Sequence, residues 1–146
     1  MQISTIIFRL SIALWFGGAS LFTFVLTPSL FKSYNRDLAG GIVGVLFPGY
    51  FKWGLACGGI ALVSLFFARG RHTVASASII AIMLVITAVQ AFVIEPKAAE
   101  LKKSIPSFVT TPPDHPQRAQ FRKLHGISAA GNLGVIGGGL ALVFLF

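Results

Sequence analysis

The sequence predicts an all-α integral membrane four-helix bundle. Three observations carry this. Four apolar stretches, approximately 6–26, 41–68, 73–94 and 124–146, take up most of the 146 residues. A helix needs roughly 20 mostly apolar residues to cross the ~30 Å hydrocarbon core of a bilayer, and each stretch meets that length. Charged residues make up 11% of the chain, against about 25% in a soluble domain. The connections are short, so the spans form a single transmembrane domain over 1–146 with no room for a soluble catalytic unit.

Span one reads IIFRLSIALWFGGASLFTFVL. It lacks a basic n-region and outruns a 7–15-residue signal h-region, so it is read as an uncleaved span. Thr27 and Pro28 are predicted to end it, because proline has no amide donor and biases its predecessor away from helix. Helix is expected again from Asp37, with 37–47 as an extension beside the membrane. The run to Ala68 is too long for one perpendicular crossing, and Pro48 predicts a kink or break within it. Tyr50 and Trp53 suit the headgroup level, and Lys52 can snorkel there. A tight basic turn, ARGRHT, leads into span three. Glu95-Pro96 marks the end of that span or a kink. Residues 95–104 are expected to continue as helix into water, with Glu100 and Lys103 on one face. The segment IPSFVTTPPDHP holds four of the seven prolines and is read as a loop. Pro116 can open the last helix at its first turn, which is amphipathic over 117–123 and apolar beyond. No internal repeat is evident.

Ten of the twelve Lys and Arg residues behind the net charge of +8 lie in the connections. Without a basic surface interleaved with aromatics, this charge points to lipid headgroups and not to nucleic acid. Lys32, Arg36, Lys97, Lys102, Lys103, Arg118, Arg122 and Lys123 fall in connections one and three. Connection two holds Arg69 and Arg71. The positive-inside rule then places connections one and three in the cytoplasm and both termini outside the inner membrane.

Gly54 and Gly58, with Ala61 following, and Gly134 and Gly138 have the spacing that lets membrane helices approach closely. Packing within the chain is the favoured use. Cys57 is read as a small buried hydrophobe.

In the last helix Arg118, Arg122, His125, Ser128 and Asn132 fall within roughly a third of the circumference at 3.6 residues per turn. Lipid cannot satisfy polar groups, so this stripe is expected to face the bundle interior or a watery cavity. Gln90 shares a face of span three with Thr87 and lies at a depth where it can meet His125. Thr87 alone reads as a back-bonded core residue. Arg9, the only charge in span one, reads as an interface anchor or as an anion-attracting group at an outer mouth. No catalytic residue is proposed. The acids Asp37, Glu95, Glu100 and Asp114 lie in or beside aqueous connections. No metal site is proposed either: His72 and His115 lie on opposite sides of the membrane, and His125 has no partner at ligand spacing. No cofactor motif is present.

Leu14-Trp15-Phe16-Gly17-Gly18, Phe22, Pro28-Ser29-Leu30-Phe31, Phe47-Pro48-Gly49-Tyr50-Phe51 and the pattern F-x-x-L-H-x-x-S-x-x-x-N-L from Phe121 to Leu133 resemble the small four-span family of transmembrane protein 205 and its bacterial relatives. The resemblance covers nearly the whole chain. It implies a four-helix membrane fold, with Trp15, Gly17, Gly18, Pro28, Pro48, Tyr50, Phe51, His125, Ser128 and Asn132 as motif positions. Some relatives are associated with resistance to metal-containing drugs. More distantly, the arrangement is similar to copper-resistance D-type proteins and membrane haem-biosynthesis oxidases. Those use an intramembrane histidine in the first helix, near the place where Arg9 stands here.

Three functions are open at this point. The first is transport of a small solute or ion, with Gln90, His125, Ser128 and Asn132 lining a polar cavity in a protomer small enough to form a homo-oligomer. The second is a haem- or metal-binding redox protein using His125. The third is a non-enzymatic scaffold whose glycine faces bind partner helices.

Overall fold

The computed structural model describes residues 2–68 and 70–145, with Gln2 by its backbone alone. Met1, Arg69 and Phe146 lie outside the described residues. So do the two domain limits and the Arg69 contribution to the charge asymmetry. Every regular element among the described residues is helical. Four continuous rods, Ile3–Ser33, Arg36–Ala68, Thr73–Lys103 and Pro116–Leu145, are long and apolar enough to cross a membrane. We call them spans one to four. Each touches its neighbours in the ring order one, two, three, four, one.

The rods are longer than a bilayer is thick. At 1.5 Å per residue they measure about 45–50 Å against a ~30 Å core. The excess lies at one end. There α2 (Thr27–Ser33), the start of α3 (Arg36–Ala68), α5 (Glu95–Lys103) and the start of α6 (Pro116–Leu145) form a cap. Asn35 caps α3, its side-chain oxygen accepting from the Leu38 N–H at 2.9 Å. The loop after α5 is fastened to α3 by Asp37, whose carboxylate accepts from Ser107 Oγ at 2.5 Å and the Phe108 N–H at 2.6 Å. These bonds hold the Asp37 carboxyl below its ordinary range, the Ser107 bond most of all. Glu100 and Lys103 pair at 3.1 Å as their spacing predicts, but both are exposed and the pair contributes little.

Away from the cap the core is mainly apolar. Phe8, Ile12, Trp15, Ala19, Cys57, Ala61, Leu65, Ile80, Met83, Val135 and Leu142 form it. The outward face is equally apolar, with Val63, Phe66, Val85 and Phe144 exposed, as a lipid-facing surface requires. The glycine pair of span two receives Trp15. A Cβ on Gly54 would lie 2.8 Å from the Trp15 Nε1, and one on Gly58 would lie 2.5 Å from its ring. In span four a Cβ on Gly138 would meet the Met83 sulfur at 2.7 Å, whereas Gly134 is only in ordinary contact with Ile86. Close packing within the chain is therefore the use of Gly54, Gly58 and Gly138.

The helix does not end at Thr27-Pro28 as expected, and it runs on past Pro48 and Glu95-Pro96 too. Pro48 lies inside an unbroken α3. Thr27-Pro28 and Glu95-Pro96 are each passed by a π-helical turn, Phe22–Leu26 after α1 (Gln2–Leu21) and Gln90–Ile94 after α4 (Thr73–Val89). A proline ring clashes with the carbonyl four residues back, and the wider π turn moves that carbonyl away. The two sites also share sequence, Phe24-Val25-Leu26-Thr27-Pro28 and Phe92-Val93-Ile94-Glu95-Pro96. This short likeness, with Phe, Val and Pro in common, stands at matching places in two helical hairpins.

Candidate functional site

Polar side chains from all four spans meet in one layer beside the two π turns, while Ser11, Ser64 and Ser76 are buried elsewhere. Tyr50 OH donates to Asn132 Oδ1 at 2.8 Å, and Asn132 Nδ2 donates to Thr23 Oγ1 at 3.0 Å. One turn away on α6, Gln90 Nε2 donates to the Ser128 carbonyl at 2.7 Å and lies 3.2 Å from Ser128 Oγ. All four spans thus contribute: Thr23, Tyr50, Gln90, and Ser128 with Asn132. Ser128 and Asn132 are four residues apart, so the layer is about 6 Å thick. Its depth follows from Gln90, four residues or about 6 Å inside the end of the apolar run of span three.

Each π turn begins at a residue that grips the next span. Phe22 stacks on Tyr50 with ring centroids 4.5 Å apart, and Phe47 joins them at 5.5 Å from Phe22. Gln90 is 2% exposed and grips Ser128. Its amide lies flat on Gly131, where a Cβ would come within 3.1 Å of Gln90 Cδ. Gln90 Oε1 and Ser76 Oγ are the buried side-chain polar atoms without a partner among the described residues. Ser76 lies at the start of α4, far from the layer along the helix.

The predicted stripe on the last helix divides. Ser128 and Asn132 turn inward, while Arg122 and His125 are exposed. The inward direction of α6 is set by Ser128, Gly131, Val135, Gly139 and Leu142. At 3.6 residues per turn it lies roughly 70° round from His125. His125 therefore does not line the layer, and Gln90 meets Ser128 in its place. The His125 ring lies parallel to Phe121, centroids 6.4 Å apart. Arg118 serves the cap, donating to the Thr111 carbonyl and lying 5.7 Å over the Phe108 ring. Arg9 is exposed on α1 near the opposite end of the bundle. Thr87 is buried and bonds back to the Met83 carbonyl at 2.9 Å, as its sequence context predicts.

Sequence reasoning missed Thr23, and it placed Tyr50 at the headgroups instead of in the layer. Among the other motif positions, Trp15 is the wedge between the glycines of span two, and Gly18 admits Trp53. Phe51 is buried against Phe47. Gly17 has open space beside it. Pro28 follows the first π turn. Among the described residues no three His, Cys, Asp or Glu side chains come together as a metal ion would need.

Two shallow grooves lie on the outer surface, and neither borders the layer. One of about 440 Å³ runs along the cap part of α3 from Asp37 to Leu46. The other, about 510 Å³, lies over Ala56 and Gly59, between α1 and α3.

No solved structure matches the chain. A protein of Aquifex aeolicus (strain VF5), described only as uncharacterized, is 32% identical over 132 residues, covering 88% of this chain and 87% of its own. The family model described as a domain of unknown function, DUF4149, matches residues 10–107. That match spans the polar layer from Thr23 to Gln90 and stops short of α6, and on its strength the chain belongs to the DUF4149 family.

Proposed function

We propose that the protein moves a small polar solute or ion across the membrane, and that the four-span polar layer is its closed constriction. One observation carries the reading: every span places a hydrogen-bonding side chain in the same thin layer, beside a core built mainly of apolar side chains. The two π turns flank that layer, and such turns are frequent at functional sites. The cap lies in the cytoplasm by the positive-inside rule. Arg9 biases charge at the outer mouth. The resemblance to the transmembrane protein 205 family, with its link to metal-containing drugs, fits an efflux role, and the small protomer fits a homo-oligomer in the inner membrane.

The test is solute and ion flux in proteoliposomes. Gln90→Leu and Asn132→Leu are expected to change flux at least several-fold relative to wild type. Equal flux from all three proteins removes the layer from any transport mechanism.

A scaffold role is the second reading. It is favoured by the mutual bonding of Thr23, Tyr50, Asn132, Gln90 and Ser128, which by itself holds four helices together. A fall in thermal stability with no flux in wild type or variants selects it.

A further inference from the structure

A hydroxyl on a membrane helix ordinarily bonds back to the carbonyl four residues earlier. Ser11, Ser78 and Thr87 do so here, at 2.8, 3.0 and 2.9 Å. Ser64 does not. It is 7% exposed, and its hydroxyl bonds no other described residue. The opening beside it is the groove between α1 and α3. A hydroxyl that borders hydrocarbon with nothing to bond is costly, so this position calls for an acceptor from outside the chain.

The groove has the form of one leaflet's acyl chain. Ala56 and Gly59, the smallest residues along it, make its floor, and Ile7, Ile60 and Val63 are its apolar walls. Gly59 has nothing within 4 Å of the place its Cβ would take, so the notch is open to the lipid. From Leu55 to Ser64 is nine residues, about 14 Å along the helix, close to the ~15 Å half-thickness of the hydrocarbon core. The helix ends at Ala68, four residues or about 6 Å beyond Ser64. Ser64 therefore lies just inside the boundary of the leaflet away from the cap. The deepest polar atoms of a phospholipid are the ester carbonyls that join its chains to glycerol, and they stand at that boundary. They accept hydrogen bonds and donate none, and serine supplies the donor. A groove one leaflet long, continuous with the lipid-facing surface and running with the chains of that leaflet, suits a lipid better than a helix crossing the whole membrane.

We propose that this groove binds one diacyl phospholipid of the leaflet away from the cap, with an acyl chain lying along Gly59 and the Ser64 hydroxyl donating to that chain's ester carbonyl. The site is separate from the polar layer and does not depend on the transport reading.

The experiment is titration of the full-length protein in detergent micelles with phosphatidylcholine, read as retained lipid by native mass spectrometry. The neutral headgroup gives the basic cap little hold. A diether analogue with the same headgroup and chains lacks both carbonyls and is the comparison. The first lipid retained is expected to bind about threefold more tightly as the diester, the ~0.6 kcal/mol of an average membrane hydrogen bond. Ser64→Ala should erase that preference and leave diether binding as it was. Gly59→Leu fills the notch from open space, so the bundle still folds, and it should abolish retention at lipid concentrations that saturate the wild type. Equal affinity for diester and diether in the wild type overturns the proposal, as does a preference that survives Ser64→Ala. Retention unchanged in Gly59→Leu overturns it too, since the lipid is then held elsewhere. A dimer that Gly59→Leu splits gives the groove to a second copy of the chain and equally overturns the lipid site.

Discussion

The Tyr50 hydroxyl reaches across the bundle to Asn132, 2.8 Å away, and Asn132 passes the contact on to Thr23. One asparagine on span four is thereby tied to spans one and two. Tyr50→Phe leaves Asn132 Oδ1 without its donor, while Asn132→Ala removes both contacts. Each is expected to destabilise the protein by about 0.6–2 kcal/mol, the range of interhelical hydrogen bonds in membranes. A double-mutant cycle read by unfolding in mixed micelles should give a coupling of that sign. Strict additivity would show that the bond does not contribute.

The wedge of Trp15 between Gly54 and Gly58 makes a sharper stability prediction. Gly58→Ala puts a methyl within 2.5 Å of Trp15 and of Leu84; the Leu84 methyl can swing aside, but the rigid, buried indole cannot. A loss of about 1–3 kcal/mol is expected, as for other overpacked sites. Gly59→Ala, one residue along with nothing within 4 Å, is the matched control and should leave the Tm unchanged.

Acid should loosen the cap before it touches the spans. Bonds from Ser107 and the Phe108 N–H hold the Asp37 pKa below its ordinary value of 3.8. A depressed carboxyl contributes stability that is complete above the ordinary value and is lost as pH falls through the lowered one. Limited acid proteolysis by pepsin should therefore cut the segment 104–115 increasingly as pH drops below about 3.8. Asp37→Asn should make that cutting fast and nearly independent of pH in the same window. A wild-type loop equally resistant throughout would count against the Asp37 tie.

Orientation can be read by labelling cysteines in intact cells after Cys57→Ala. With the cap in the cytoplasm, Gly70→Cys should react with an impermeant maleimide and Ser104→Cys should not. The opposite pattern inverts the assignment.

Hydropathy alone located the four spans, because a bilayer demands a length of apolar helix that few other structures need. It could not reveal how the chain passes its prolines. Thr27-Pro28 read as a stop and Glu95-Pro96 as an end or a kink under the local rule, and a wider turn, which leaves no compositional trace, carries the helix past them. Gln90, Ser128 and Asn132 were legible as polar groups inside apolar runs. Thr23 was not, since a lone threonine in a membrane helix usually satisfies itself. Tyr50 was read as an interface aromatic because it stands near lysine and tryptophan. His125 lies in the middle of a broad arc on α6, and the arc's width hid the true inward direction, which lies at its Ser128 edge and which the glycines at 131 and 139 settle.

The lopsided placement of the polar layer has an electrical consequence. Voltage across a membrane drops mainly through the low-dielectric stretch, and here that stretch is the close-packed section around Trp15, Ala61 and Met83. A charge resting beside Gln90 sits on the near side of that insulator and feels only a small fraction of the potential. Occupancy from the cap side should therefore be almost indifferent to voltage, whereas any step that carries charge past Trp15 should depend on it steeply.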